Sequence, residues 1–416
     1  MRHGDFMKHS IRVVLLIVCA IIPTLASSPL QGTFHVPRGP HMVGAPFYLT
    51  FELRNTSGVA LWVNNTDPLL PCAGYVFNIS GERRADGACD GRRGFSCPLR
   101  QTILKPGGRI TQHILLNYFY HFPHPGKYFI GAERSLNWWP ASLGRESSER
   151  NLVIFRSDVK VDLLPASGAQ LRAAFRPYVQ SLNSKDPIKR ERARQAVVYL
   201  APDFLEKTIF DLLDSGDSWD GWLGLRNLNT PAARRNLAQT IEANATIPPG
   251  VGGAVRDEKL SERDTAVAYL AQMHDQAYFP LILSTVEQSS LDSSLRVTGI
   301  WAIGQLGQEK AIPFLDSEIE TQSKDRQIQA TIGLSFTASA ESVPILISEL
   351  NAPDDDLRQV AENSLQTLTH RAAVKDTVTG IAPEALRDEW QTWWSLNGPN
   401  AQIFAADDCG EVLPIK

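Results

Sequence analysis

Residues 294–307 read SLRVTGIWAIGQLG, and after a short polar break residues 311–315 read AIPFL. This order of an apolar helical run, a break and a proline-led apolar helix recurs along the chain, with Pro280, Pro313 and Pro344 at corresponding points. Proline suits the first turn of a helix, where its missing N–H is not needed. Repeats of roughly 30 residues indicate stacked helix pairs, because one pair alone cannot bury its apolar face. The pattern therefore predicts an array of helix pairs.

The array extends on both sides of this stretch. Residues 196–201 (AVVYLA) closely match residues 266–271 (AVAYLA), and a degenerate copy lies between them. Near the end of the chain, WQTWW at residues 390–394 places its tryptophans on one helical face, which is expected to cap the last repeat. The pattern assigns residues 168–398 to the helical array and residues 399–416 to a C-terminal tail.

One repeat carries a more specific signature. Residues 356–368 read DLRQVAENSLQTL, which is an acidic turn followed by an arginine and an apolar stripe. In this respect residues 185–370 resemble the HEAT repeats of bacterial, phycobilisome-lyase-like proteins. The resemblance implies an α-solenoid that binds or scaffolds other proteins. It also implies that Arg296 and Arg358 brace acidic turns, with Arg326 at the equivalent place in the intervening copy; contact with a ligand is the alternative role.

Residues 28–166 show the patterns of strands and turns. FYLTFELRN at residues 47–55 alternates apolar with polar or small side chains, and turn-forming residues end the run. Short strands at this spacing predict two packed sheets, and their order resembles an immunoglobulin-like domain of the bacterial secreted kind. The chain is thus expected to be a multidomain β plus α protein, an immunoglobulin-like β-sandwich followed by an α-solenoid. The junction is placed between Pro165 and Gln170, because helical sequence begins near Gly168.

The first residues have the layout of a secretory signal peptide. Basic side chains precede VVLLIVCAII at residues 13–22, and cleavage is expected after Ala26, which makes residues 1–26 the leader. This layout predicts a secreted or periplasmic protein with no membrane insertion after cleavage. The alternative is a protein anchored in the membrane by an uncleaved N-terminal helix, although the apolar run is shorter than the roughly 20 residues needed to span a bilayer.

Removal of the leader leaves four cysteines, Cys72, Cys89, Cys97 and Cys409. An even number in an oxidising compartment is expected to form disulfides, and four cysteines allow three connectivities. One bridge is expected within the first three, with Cys409 pairing with the remaining partner or staying free. Zinc is the rival interpretation, but no C-x-x-C pair occurs. We expect neither a metal nor another cofactor.

Candidate binding residues come from three places: Trp138 and Trp139 in the β part, Pro249 and Gly250 in an insertion, and Arg296 and Arg358 in the helical part. The two tryptophans can anchor a glycan or a peptide, although core packing is the favoured role. The insertion, residues 247–254, either lies on a binding face or is simply tolerated. Three histidines, His113, His121 and His124, are interpreted as solvated, because no carboxylate joins them at ligand spacing.

Composition narrows the class of function. Of the 416 residues, 43% are apolar and 21% are charged, which is ordinary for soluble globular domains, and the length suggests two or more of them. A net charge of -4 gives no broad attraction for phosphate backbones, so nucleic acid is not an expected partner. The chain lacks the G-x-S-x-G, H-E-x-x-H, Walker and Rossmann motifs.

These patterns together predict a non-enzymatic binding or scaffold protein whose helical surface holds a protein or peptide partner. Two alternatives stay open. One is an enzyme of lyase or hydrolase type, with its site at the junction of sandwich and solenoid. The other is a sandwich that binds a protease or a glycan while the helices support it.

Overall fold

The structure is a computed structural model that describes residues 28–65, 73–81, 86–87, 100–215, 218–245, 253–290, 293–371, 382–406 and 412–414. A β-rich N-terminal part is followed by a helical part, as predicted. The expected leader, the four cysteines and the insertion residues Pro249 and Gly250 lie outside the described residues. Their predicted roles therefore stay predictions.

The strands are β1 (Leu30–His35), β2 (His41–Met42), β3 (Tyr48–Asn55), β4 (Leu61–Asn64), β5 (Tyr75–Gly81), β6 (Asp86–Gly87), β7 (Gln101–Leu104), β8 (Arg109–Leu115), β9 (Tyr120–His121), β10 (Gly126–Pro140), β11 (Asn151–Leu164), β12 (Phe404–Ala406) and β13 (Val412–Pro414). A three-stranded antiparallel sheet has the order β1-β3-β8. A six-stranded sheet has the order β2-β11-β10-β4-β7, with β5 also paired to β10.

The long strand β10 organises the larger sheet. It pairs with β11 along one edge, and along the other edge first with β5 and then with β4. Its alternate side chains point inward, and Ile130 is fully buried. Side chains of both sheets, such as Phe51 on β3, Val63 on β4 and Ile130, belong to one hydrophobic cluster. The two sheets thus share a single core.

The α-helices are α1 (Gly168–Ser181), α2 (Pro187–Leu200), α3 (Glu206–Asp214), α4 (Ser218–Leu228), α5 (Pro231–Ala243), α6 (Gly253–Gln272), α7 (Phe279–Glu287), α8 (Ser294–Gly307), α9 (Ile312–Ile319), α10 (Lys324–Phe336), α11 (Ser342–Glu349), α12 (Asp355–Thr369) and α13 (Pro383–Asn397). Pro280, Pro313 and Pro344 lie in the first turns of α7, α9 and α11. The repeat positions assigned from the sequence are therefore those of the helices.

Side-chain caps define where several helices begin. The first helix starts at the predicted junction, where Ser167 and Gln170 form a capping box. The Ser293 hydroxyl accepts from the Arg296 N–H at the start of α8. The Asp354 carboxylate accepts from two backbone N–H groups at the start of α12. Each cap satisfies backbone donors that have no partner within the helix.

Alternate helices form a stacked row, in which α2, α4, α6, α8, α10 and α12 each contact the next. The helix that precedes each of α4, α6, α8, α10 and α12 packs against it, so every unit is a pair. One continuous hydrophobic cluster runs through the pairs from Phe175 to Trp390. Within the described residues, no helix combines the length and apolarity that crossing a bilayer requires.

Trp390 is fully buried at the far end of this cluster, and Trp393 and Trp394 pack partly buried against it. Arg371 lies over the rings of Trp390 and Trp393, at 4.5 and 5.4 Å from their centroids. This placement agrees with the predicted capping face. The tail then forms the antiparallel pair β12–β13, and Phe404 stacks on His370 at 4.0 Å.

The β part and the helices meet at a cluster of tyrosines. Tyr118 on the β side lies 4.5 Å from Tyr199 of α2, ring centroid to ring centroid. The Tyr48 hydroxyl donates to the backbone carbonyl of Arg192 at 2.9 Å, and its ring faces Tyr178 of α1. Burial and the neighbouring Tyr178 raise the pKa of Tyr48 far above its ordinary 10.0, so its hydroxyl is a permanent donor. The two parts are joined by packed side chains as well as by the short linker.

Candidate functional site

The tryptophans proposed as anchors lie in the larger sheet. Trp139 is fully buried, its indole N–H donates to the Gly144 carbonyl at 2.8 Å, and its ring stacks with Trp62. Trp138 is half-buried and pairs with Val63 and Asn151 in the sheet. Trp139 therefore offers no exposed area to a ligand, and its contacts are those of core packing.

Arg296 also lies inside the protein, where only 8% of its surface is exposed. One of its Nη atoms donates to Glu318 and the other to the Val286 carbonyl at 2.7 Å. Arg326 donates to the second carboxylate oxygen of Glu318 at 2.6 Å. Arg296 therefore braces a buried carboxylate of the following helix pair rather than an acidic turn, and its partner Glu318 was not foreseen.

Arg296 and Arg326 stabilise the ionised form of Glu318. Burial alone would raise the pKa of Glu318, but hydrogen bonds from Arg326 and Arg296, together with both guanidinium charges, lower it below its ordinary 4.5. With 1% of its surface exposed, Glu318 is an internal ion and cannot act on a solvent-borne ligand. This triad is a structural link between α8, α9 and α10.

Arg358 does contact an acidic turn. It donates to the Asp355 carboxylate and to the Ala352 carbonyl, and the residue is 6% exposed. From the preceding repeat, Lys324 reaches the carboxylates of Asp354 and Asp356, each at 2.7 Å. The predicted bracing role thus has a geometric basis here, and neither buried arginine contributes to an exposed binding surface.

The open surface of the stacked row carries a groove of about 530 Å³ across α4, α6 and α8. Its lining includes Trp219, Asp257, Ser261, Asp264, Tyr269 and Ser294. The charged residues among the described lining are both aspartates. The groove therefore combines an aromatic wall with hydroxyl groups and negative charge.

Trp219 is the most exposed of the large groups in the groove, with 59% of its surface accessible. The centroid of its ring lies 6.4 Å from that of Tyr269. The guanidinium of Arg226 lies over the Tyr269 ring, 5.5 Å from its centroid. An exposed tryptophan backed by packed aromatic neighbours is a rigid contact surface. Such residues are enriched among those that carry binding energy at interfaces.

Asp264 lines the groove, and its carboxylate already has two partners within the protein. One carboxylate oxygen accepts from the Ser294 hydroxyl at 2.5 Å, and the other lies 3.4 Å from an Nη of Arg263. Asp257 lies seven residues earlier on the same helix, hence on the same face two turns away. The two carboxylates are therefore separate anchor points along α6.

Sequence reasoning missed this groove, although one signal was present. Asp257, Ser261 and Asp264 recur at intervals of four and three, which is a polar face on a helix whose other face matches the repeat. Trp219 lies in α4, between residues 201 and 266, where the sequence shows only a degenerate copy of the repeat. Nothing in the chain order indicates that these two helices lie side by side.

His113 was interpreted as solvated, and this is wrong. It lies in β8, half-buried, and its Nδ1 is 3.2 Å from the Thr50 hydroxyl of β3. Burial, with the positive charge of Arg192 on α2 and the proximity of His35 on β1, lowers the pKa of His113 below its ordinary 6.5. His113 is thus part of the junction between the sheet and the helices. No group of three or more potential metal-ligating side chains lies among the residues that the structure describes.

We expect the folded protein to lose stability as the pH falls below about 6.5, because the unfolded chain binds a proton at His113 that the folded chain resists. Above that pH the contribution is fully present. His113→Gln should therefore flatten the decrease in melting temperature between about pH 7.5 and about pH 5.5. The exposed His121→Gln is the matched control and should keep the wild-type slope. Equal slopes for all three proteins would contradict this role.

No protein-family model matches the chain, and no curated protein matches it. The chain is similar to the complex of CpcE and CpcF of phycocyanin lyase from Nostoc, with 16% identity, a TM-score of 0.30 and coverage of 53% of this chain and 83% of that one.

Two further solved structures are similar to parts of the chain. The E. coli protein YibA has 15% identity and a TM-score of 0.25, and the match covers 48% of this chain and 86% of that one. A PapD-like domain of human CEP192 has 10% identity and a TM-score of 0.20, with 35% and 95% covered. Likenesses at these TM-scores carry no functional inference.

Proposed function

We propose that the chain is a non-enzymatic binding or scaffold protein, secreted or periplasmic, whose stacked row of helices holds a segment of a partner protein. The observation that carries the proposal is the groove across α4, α6 and α8, with the exposed Trp219 as its wall. In the same proposal the β part is an immunoglobulin-like sandwich and the helical part a HEAT-like solenoid. The shared core of the two sheets supports the first, and the continuous cluster through the helix pairs supports the second.

The chemistry of the groove favours binding over catalysis. It is open to water, whereas enzymes usually enclose the reacting groups. Its two carboxylates lie two helical turns apart, about 10 Å at 1.5 Å per residue, which is too far for both to contact one reacting atom. Asp264 already accepts from Ser294 and Arg263, so part of its acceptor capacity fixes the groove and is not free for catalysis. These features suit recognition of an extended ligand.

A photo-crosslinking experiment tests the proposal on the full chain. A benzoylphenylalanine in place of the exposed Ser261 lies in the groove, and the same group in place of Ile188 lies on α2, at a site 66% exposed that does not line the groove. We expect ultraviolet light to give a discrete adduct with a secreted or envelope protein of the host from position 261 and none from position 188. No adduct from position 261, or the same adducts from both positions, would overturn the proposed function.

A further inference from the structure

We infer, resting on the proposed function, that the groove binds a polyproline II segment with two Lys or Arg side chains three residues apart. The spacing of the aspartates carries the first step. Asp257 and Asp264 lie on one face of α6, and seven residues at 1.5 Å per residue separate them by about 10 Å along the helix. In a polyproline II helix, residues i and i+3 point the same way and lie about 9 Å apart. A segment of this kind places one cation on each carboxylate.

Other extended conformations fit less well. In a β-strand, residues i and i+3 point to opposite faces, and residues i and i+2 are only about 7 Å apart. In an α-helix, two side chains about 10 Å apart on one face are separated by seven residues, and the backbone carbonyls between them are already hydrogen-bonded within the helix, so they offer no acceptor to the hydroxyl groups of the groove. The spacing of the anchors thus selects the polyproline II form.

The aromatic wall carries the second step. Grooves lined by aromatic side chains bind proline-rich segments, because the preformed polyproline II helix loses little conformational entropy on binding. Trp219 presents 59% of its surface beside Tyr269, whose own ring is buried behind it. The prolines between the two cations would pack on this indole, and a guanidinium can also stack on it.

The hydroxyl groups carry the third step. A polyproline II backbone has no internal hydrogen bonds, so its carbonyl groups need donors when water is displaced. Ser261, Thr265 and Thr298 line the groove, and each can donate one O–H. The ligand class is therefore a basic, proline-rich protein segment with the pattern Arg/Lys-Pro-Pro-Arg/Lys.

The two carboxylates are not equivalent. The charge of Asp264 is offset by Arg263, and its carboxylate also accepts from the Ser294 hydroxyl, whereas Asp257 lies on the exposed first half of α6. Asp257 should therefore contribute more to the attraction for a cationic ligand. Glu258, exposed and adjacent, does not line the groove and is a matched control of the same charge.

The test measures the fluorescence anisotropy of labelled peptides with the full chain at low ionic strength. The probe is Gly-Arg-Pro-Pro-Arg-Gly, and the comparison peptides are Gly-Glu-Pro-Pro-Glu-Gly and Gly-Arg-Pro-Arg-Pro-Gly, which change the charge and the spacing. We expect only the probe to bind well. Asp257→Asn should weaken it about 5- to 10-fold and Trp219→Ala about 10-fold or more, while Glu258→Gln leaves it unchanged.

Several outcomes overturn the inference: equal binding of the glutamate peptide, equal binding of the altered spacing, or wild-type affinity in Asp257→Asn. Absence of probe binding together with a persistent adduct from position 261 would remove the basic polyproline ligand and leave the binding function standing. If the probe does not bind and position 261 gives no adduct, both the basic polyproline ligand and the proposed binding function are overturned. Circular dichroism of each variant checks that the helical fold is retained.

Discussion

Glu318→Gln is expected to lower the free energy of unfolding by about 3–5 kcal/mol, the usual cost of removing one partner from a buried ion pair. The reason is the triad of Arg296, Glu318 and Arg326. Both arginines are at most 8% exposed, and without the carboxylate charge two buried guanidiniums would face each other. Urea unfolding, followed by the helical circular dichroism signal, measures the change.

The control for this substitution is Glu320→Gln, two residues further along and exposed. It removes the same charge without touching the triad and should change stability by less than about 0.5 kcal/mol. A stronger check replaces all three members with apolar residues, as Arg296→Met, Glu318→Leu and Arg326→Met together, and should recover most of the loss. If Glu318→Gln and Glu320→Gln unfold at the same urea concentration, the triad does not hold the repeats together.

The same triad predicts that the helical part loses stability in acid. Because the pKa of Glu318 is lowered in the folded state, its contribution is complete above the ordinary 4.5 and is lost as the pH falls through the lowered value. His113 acts in a higher range, below 6.5, and at the junction. Acid should therefore weaken the contact between the two parts before it weakens the repeats.

The helical repeats could be predicted from the sequence because local interactions determine where each helix begins and ends. Proline in the first turn, a polar break and an apolar stripe are each properties of neighbouring residues, and Pro280, Pro313 and Pro344 all lie where the pattern placed them. The strand β3 was likewise predicted from the alternation of side chains at residues 47–55. These patterns can be recognised without knowing which other elements pack against the helix or strand.

Contacts between side chains that are distant in the sequence could not be predicted. Nothing near Glu318 distinguishes it from the solvated Glu320, because its burial is created by arginines from two other helices. His113 was misinterpreted for the same reason, since the pKa-lowering charge of Arg192 lies 79 positions further along. The groove needs three helices whose lining residues run from Trp219 to Thr298. A site whose residues come from several stacked helices can be identified only once the packing of those helices is known.

Gly304→Ala is expected to destabilise the helical part by about 1–3 kcal/mol or more, although alanine is the better helix former. A Cβ at this position would lie 2.4 Å from the Gly333 carbonyl oxygen and 2.5 Å from its Cα, so the backbones of α8 and α10 would have to separate. Two further glycine substitutions test whether the loss of stability follows the space available for a Cβ. Gly333→Ala meets mainly the flexible end of Leu315 at 2.9 Å and should cost less. Gly253→Ala, at the start of α6 with nothing within 4 Å, should be neutral or slightly stabilising.

The order of these three changes is the critical measurement, because helix propensity alone predicts that all three are stabilising, which is the reverse of what we expect for Gly304→Ala and Gly333→Ala. Thermal unfolding of the full chain should place Gly304→Ala lowest, Gly333→Ala between, and Gly253→Ala at or above the wild type. Since α8 also forms one side of the groove, Gly304→Ala should weaken the Ser261 crosslink in parallel. A Gly304→Ala protein as stable as Gly253→Ala would mean that the row is not packed backbone to backbone at this crossing, and the close approach of α8 and α10 would have to be abandoned.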